Sequence, residues 1–224
     1  ARGLPENIRL VVDLDDTLHS ERLYAISGFN AAAAWAEGAL GVAGLAEEMT
    51  VLLDQGHLGT VFEHALKKRK PDFSIADLNQ LRKAYRDHDP AISVYDDVMP
   101  VLQAVTTPMG MITDGSLEMQ TRKVAALGLQ QRFAEIIYTG AAFFKPQPRA
   151  FEMIEAQLGG DGIRMVYVGD NPAKDFVVPN ARGWLSVMIE RPHRIHAAAI
   201  PADGGLPHVT IRSLAELRDA IGPI

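Results

Sequence analysis

The sequence predicts an α/β protein: a three-layer core built on a parallel sheet, interrupted by an all-helical insertion. Three observations carry this reading. Short apolar runs recur along the chain, as strands buried on both faces require. Helical patterns separate them, so successive strands connect by crossovers and pair in parallel. Between the first and second runs, from about Ser20 to about Ala91, helical periodicity replaces any strand. That interval is too long for a simple crossover and reads as a second, smaller domain.

The apolar runs are Leu10–Leu14, Met109–Thr113, Ile136–Thr139, Met165–Gly169 and Leu185–Ile189, with His208–Ile211 a weaker sixth. Leu117–Leu127, stopped by Gly128, and Arg149–Leu158, stopped by Gly159-Gly160, read as crossover helices. The insertion divides into helices over Arg22–Leu40, Ala43–Leu53, Gly59–Arg69 and Ser74–His88. The last has Ser74 as its cap, Asp77 at the third helical position, and Ile75, Leu78, Leu81 and Tyr85 on one side. The expected domains are residues 1–19 with 92–224 for the core and 20–91 for the insertion. The Pro- and Gly-rich stretch Arg191–Pro207 is expected on the surface, its His193 and His196 solvated.

Composition narrows the functional classes. The chain has 224 residues, 47% apolar and 22% charged, which suits a globular protein with a sizeable core. A net charge of −6 and the lack of a basic stripe argue against nucleic acid as partner. The one basic run, Lys67-Lys68-Arg69-Lys70, closes a helix, where cations suit the dipole, and is expected to be solvated. Without cysteine there is no disulfide, thiolate metal site or cysteine nucleophile. The alanine-rich stretch Phe29–Ala46 is too weakly apolar to span a bilayer, so no membrane partner and a cytoplasmic location are expected.

Polar groups gather at the ends of the strands. Leu10-Val11-Val12 runs into Asp13-Leu14-Asp15-Asp16-Thr17, and buried strands do not tolerate unpaired anions. The acids therefore sit where the strand leaves the sheet, at the edge where open α/β sheets bind ligands. Asp13 and Asp15, two apart, can converge on a hard cation or divide into two proton-transfer roles. The plainer alternative is an acidic turn and helix cap. The second strand ends in Thr113-Asp114-Gly115-Ser116, a turn that offers a hydroxyl and free backbone N–H groups to an anion, or simply a Ser116 helix cap. Phe143-Phe144-Lys145-Pro146 follows the third strand. The fourth ends in Gly169-Asp170, with Asp175 five residues on.

In order and spacing, these four segments resemble the motifs of the haloacid dehalogenase superfamily, in its phosphatase branch with a helical cap of the C1 type. DLDDTL matches the nucleophile motif, TDGS the hydroxyl motif, the lysine of FFKP the lysine motif and GDNPAKD the distal acidic motif. The resemblance implies a Rossmann-like core, with the insertion as the cap. Asp114 departs from the commoner Asn after the hydroxyl residue.

The resemblance also implies roles. Asp13 would be the nucleophile and Asp15 the acid and base. Thr113 and Lys145 would be catalytic and hold the transferring phosphoryl group, with Asp114 and Gly115 contributing to substrate binding. Mg²⁺ would be held by Asp13, Asp15 (through its backbone carbonyl) and Asp170. Asp175 would support the ion or orient Lys145, and Thr17 would shape the Asp loop. The implied function is Mg²⁺-dependent phosphomonoester hydrolysis through an aspartyl-phosphate, on a small phosphorylated metabolite such as a sugar phosphate, by a monomer or homodimer. A phosphomutase on the same fold and a catalytically silent binding domain are the alternatives.

Overall fold

The structure is a computed structural model that describes residues 3–222. It divides into two compact units: residues up to Glu21 together with those from Ser93 onward, and Arg22–Ile92.

The first unit is built on six strands: β1 (Ile8–Val12), β2 (Gly110–Thr113), β3 (Glu135–Tyr138), β4 (Arg164–Gly169), β5 (Leu185–Ile189) and β6 (Val209–Ile211). All pair in parallel, in the order β3-β2-β1-β4-β5-β6. Side chains alternate between two buried layers. Leu10 and Val12 of β1 pack with Met111, Val166, Val168 and Val187 on one face. Val11 packs with Ile112, Ile137, Tyr167 and Phe151 on the other. That double burial explains why these strands are continuous apolar runs.

The order places the functional edge. The chain leaves β1 for β2 on one side and reaches β4 on the other, so β1 sits at the switch point where a crevice opens beyond the strand ends. Val12 is in register with both Met111 and Val168. Strand β1 ends at Val12, two residues earlier than the apolar pattern suggests, because Leu14 already belongs to the turn. Asp13 is thereby the first residue beyond the strand, its N–H donating to the carbonyl of Val168 (2.9 Å).

Helix α5 (Val98–Ala104) precedes β2, α6 (Leu117–Ala126) follows it, and α7 (Arg149–Leu158) precedes β4. Helices α8 (Val177–Ala181) and α9 (Leu217–Ile221) complete the unit. Helices α5, α8 and α9, of seven, five and five residues, are absent from the sequence reading. They are shorter than the window in which helical periodicity can be recognised.

The second unit contains α1 (Glu21–Leu40) from Arg22 onward, then α2 (Leu45–Asp54), α3 (Val61–Arg69) and α4 (Ile75–Asp87). Its own core gathers Phe29, Ala32, Ala36, Leu45, Met49, Leu66 and Leu81. The alanine run thus serves close packing. At Gly28 a Cβ would come within 2.4 Å of the Tyr85 ring, so this glycine lets α4 lie against α1. Ser74 and Asp77 form a reciprocal capping box. Ile75, expected on the buried side of α4, is exposed, while Leu78 and Leu81 are buried. In the basic run Lys67, Lys68 and Arg69 are exposed, and Lys68 and Arg69 also pair with the buried Glu48 of α2. Among the described residues, no helix is long and apolar enough to cross a membrane.

Candidate active site

Three successive acids leave β1 into three different environments. Asp13 is buried, its Oδ1 accepting from the N–H of Leu14 (2.8 Å) and its Oδ2 lying 3.1 Å from Lys145 Nζ. Burial pushes its carboxyl up to about 7, although the Lys145 ammonium pulls it down. Asp15 faces three donors. His19 Nε2 and Lys123 Nζ each lie 2.8 Å from Oδ1, and Gln120 Nε2 donates to Oδ2 at 2.9 Å. Burial alone would raise its pKa, but Lys123 and His19 outweigh that and hold Asp15 ionised. Asp16 has a left-handed backbone (φ 50°) and accepts from the N–H groups of Glu21 (2.9 Å) and Ile195 (2.7 Å). An aspartate tolerates that conformation because its short side chain satisfies nearby backbone donors.

The end of β4 supplies the rest of the anionic cluster. Asp170 is buried, and its Oδ2 has no hydrogen-bond partner among the described residues. Burial and the neighbouring Asp175 and Asp13 carboxylates raise it to about 9. Asp175 accepts from the N–H of Asn171 (2.9 Å) through Oδ2, and its Oδ1 lies 2.7 Å from Lys145 Nζ. A Cβ at Gly169 would come within 2.5 Å of that Oδ2, so only glycine leaves room for the Asp175 side chain to fold back. One oxygen from each of Asp13, Asp170 and Asp175 lies within 4.8 Å of the others.

Lys145 is buried in their midst and donates to the Tyr167 hydroxyl (3.0 Å). Burial works against its ammonium, yet Asp13 and Asp175 hold its pKa well above the usual lysine value. Three buried carboxyl groups share one ammonium, so Asp13 and Asp170 ionise only with difficulty unless further positive charge is present, and all the available atoms are oxygens. A divalent, oxygen-seeking cation matches that donor set, and Asp170 Oδ2 is the ligand atom left without another partner.

At the β2 end, the buried Thr113 hydroxyl accepts from Gln120 Nε2 (2.6 Å), the same amide that reaches Asp15. Asp114 is engaged through its side chain. Oδ1 accepts from the Thr139 hydroxyl (2.9 Å) and the N–H of Lys145 (3.1 Å), and Lys174 Nζ lies 2.8 Å from Oδ2. Burial disfavours its charge, but Lys145 and Lys174 lower its pKa. Aspartate here therefore ties the lysine loop to the end of β2. Gly115 has φ 122° and faces Gln120, where a Cβ would come within 3.1–3.2 Å. Ser116 caps α6 (3.3 Å to the N–H of Met119).

A family model for haloacid dehalogenase-like hydrolases matches residues 9–176, which takes in all four strand ends. The chain belongs to that family of hydrolases. A curated relative, the glyceraldehyde 3-phosphate phosphatase of Methanopyrus kandleri, is 32% identical over 113 residues, 48% of this chain and 48% of the relative. The matched segment thus spans about half the length of that protein. The crystal structure of a 2-haloacid dehalogenase from Pseudomonas syringae is 25% identical over 95% of this chain and 97% of that one, with a TM-score of 0.62. A HAD-hydrolase of Bacillus subtilis, YfnB, described as bound to magnesium, superposes over 100% of both chains with a TM-score of 0.68 at 14% identity, a likeness of fold.

Sequence reasoning about this hydrolase overlooked several residues. Gln120 and Lys123 lie on α6, where polar residues are normally solvated, yet both are buried. Their i, i+3 spacing just after the TDGS turn was the available signal. His19 in the Asp loop and Lys174 in the turn beyond β4 also reach the site, at Asp15 and Asp114. The Arg191–Pro207 stretch is not simply surface. Arg191 is buried, donates to the Thr17 carbonyl (3.0 Å) and pairs with Asp97 (2.8 Å), and His196 is half-buried. Two anchors, at Arg191 and Ile195, fasten this stretch to the Asp loop. Thr17 contributes its backbone there, because its buried hydroxyl has no hydrogen-bond partner among the described residues.

Proposed function

We propose that this hydrolase is a Mg²⁺-dependent phosphomonoesterase acting on a small phosphorylated metabolite, a sugar phosphate among them, through an aspartyl-phosphate on Asp13. The observation that carries this is Asp13, buried beside Lys145 with Asp170 and Asp175 adjoining. A carboxylate attacking an anionic ester faces like-charge repulsion, so catalysis rests on positioning and charge neutralisation. Asp13, Asp170 and the Asp15 carbonyl would hold Mg²⁺, with Asp175 supporting the cluster. Bound there, Mg²⁺ supplies neutralisation of the anions as they approach each other.

The chain's own residues divide the remaining work. One Asp13 carboxylate oxygen attacks phosphorus and the ester oxygen leaves with its bonding pair, taking a proton from Asp15 once that carboxylate, held ionised at rest by Lys123 and His19, has picked one up from solvent. Water then attacks phosphorus, gives a proton to Asp15, and the Asp13–phosphorus bond breaks with its electrons returning to the carboxylate. Lys145 and the Thr113 hydroxyl hold phosphoryl oxygens, and the backbone at Asp114 and Gly115 donates to them. Asp175 keeps the Lys145 ammonium aimed at Asp13. The helical unit carries none of these groups, and we assign it the role of a selectivity-conferring cap.

The named phosphatase relative supports this reading, and the dehalogenase relative suggests displacement of halide from carbon instead. A departing halide needs no proton and no cation. Asp15 held by three donors and the unpartnered Asp170 oxygen would then have no task. The deciding experiment measures inorganic phosphate released by purified protein from phosphorylated metabolites with Mg²⁺, alongside halide released from 2-haloacids. Phosphate release abolished by chelator supports the reading, and halide release alone overturns it. Phosphoryl transfer between sugar hydroxyls without net phosphate release would identify a mutase.

A further inference from the structure

The proposed mechanism leaves two buried polar side chains of α6 unused. Lys123 and Gln120 lie one turn apart on the same face of that helix, and each is almost wholly buried (3% and 2% exposed). Burying a lysine is costly unless its charge is met, and here it is met by Asp15 at 2.8 Å. The Gln120 amide group is shared between Asp15 Oδ2 (2.9 Å) and the Thr113 hydroxyl (2.6 Å). His19 completes the set from the Asp loop itself. Its Nε2 lies 2.8 Å from Asp15 Oδ1, a carboxylate oxygen that can only accept.

These contacts fix both oxygens of Asp15. Lys123 and His19 converge on Oδ1 and Gln120 takes Oδ2, so rotation about the carboxylate axis breaks at least one bond. A loop aspartate one turn from a strand end would otherwise sample several rotamers. Glycine at position 115 is part of the same device. A Cβ there would crowd Gln120 at 3.1–3.2 Å, and the left-handed φ of 122° admits no ordinary side chain.

We propose that Lys123 and Gln120 are positioning residues that hold the Asp15 carboxylate, and with it the Thr113 hydroxyl, in the geometry required for proton transfer from the water that releases phosphate from Asp13. The inference rests on the phosphatase reading, in which Asp15 takes that proton as the phosphorus–Asp13 bond breaks. It adds that helix α6 governs the second half of the reaction from outside the four motifs.

The test uses p-nitrophenyl phosphate, whose leaving group departs without a proton and so isolates the second half. Lys123→Met and Gln120→Leu are compared with wild type, Asp15→Asn and the double variant Asp15→Asn/Lys123→Met. Each is checked for folding by circular dichroism. Lys123→Met should lower kcat about tenfold or more with KM within about twofold, and show a burst of nitrophenol with phosphoenzyme accumulating in acid-quenched samples. Gln120→Leu should show the same signature more weakly, and Lys123→Arg should restore part of kcat. In the Asp15→Asn background, Lys123→Met should cost little more, because its partner is already gone.

Losses that add in the double variant, or a fall in kcat without phosphoenzyme accumulation, would overturn the assignment. If Lys123→Met does not fold, Gln120→Leu carries the same two readouts. Failure of the phosphatase reading is distinguishable, since wild type would then form no phosphoenzyme at all.

Discussion

The Lys145 ammonium lies 3.1 Å from Asp13 Oδ2, with both side chains buried and Asp175 holding the same ammonium from the other side at 2.7 Å. A buried ion pair of this kind is costly to assemble and more costly to break, so its persistence points to chemistry. The lysine disfavours protonation of the carboxylate while leaving its second oxygen with only a backbone donor.

Asp13→Asn should reduce phosphate release by about a thousandfold or more, because an amide of nearly the same shape is a poor nucleophile. The fold should persist, since Asn keeps the bond from the Leu14 N–H. Activity assays with circular dichroism check this, and a folded variant near the wild-type rate contradicts the assignment.

Chelation should abolish turnover, Mg²⁺ should restore it, and Ca²⁺ should suppress it. Ca²⁺ favours more ligands in looser geometry and can engage both Asp13 oxygens, tying up the one that attacks. Titrating Ca²⁺ against fixed Mg²⁺ reads this out as competitive loss of rate.

The effect of Mg²⁺ on stability should grow with pH. Asp13 and Asp170 are raised from the ordinary 3.8 to about 7 and about 9 in the folded chain without metal. Groups raised in this way contribute stability that is present below the unfolded value and lost as pH rises through the folded ones. In chelator the melting temperature should therefore fall between pH 6 and 9. Mg²⁺ compensates the ionised carboxylates, so its stabilising shift should be larger at pH 8 than at pH 6. Calorimetry giving equal shifts at both pH values would count against the cluster as the metal site.

Esters with poor leaving groups should be slow substrates. Lys123 and His19 keep Asp15 ionised at rest, so an alkyl oxygen must wait for a proton that an aryl oxygen does not need. We expect kcat/KM to favour aryl over unadorned alkyl phosphates by about a hundredfold, the scale of a general-acid contribution. A flat dependence on leaving-group pKa would refute this.

Gly169→Ala should impair activity although no reacting group changes. The new Cβ displaces the Asp175 carboxylate from the Asn171 N–H and from Lys145. A loss of about tenfold to a hundredfold is expected, the range for disturbing a partner that orients a metal or catalytic group. Steady-state kinetics with a melting curve separates this from simple unfolding.

The strand ends were legible from the sequence because local pattern alone carries them. An apolar run followed by Asp13, Thr113 or Asp170 has one comfortable arrangement, with the run buried and the polar group at the edge of the sheet. The periodicity of residues 22–88 exposed the helical unit in the same way, and the Ser74–Asp77 cap is local by nature. Ile75 shares that face of α4 with Leu78 and Leu81 yet is exposed, because helical period gives a face and not how far burial extends along it.

The partners of these residues had to await the tertiary structure. Sequence alone determined the sheet, the helical insertion and the acids, lysine and hydroxyl that crowd one edge. Only folding brought Lys145 to Asp13 and Asp175, joined Asp15 to Lys123 and Gln120, and pinned Asp16 to Ile195. Sequence spacing predicts contacts within a helix or strand, where geometry repeats every few residues. Pairs such as Asp15 with Lys123 depend on strand order and register, which place β1 beside β2 and turn α6 so that two of its polar residues face inward. Packing then decides what those residues do, for burial raises Asp13 and Asp170 while Lys123 and His19 hold Asp15 ionised, and neither effect exists until the chain has folded.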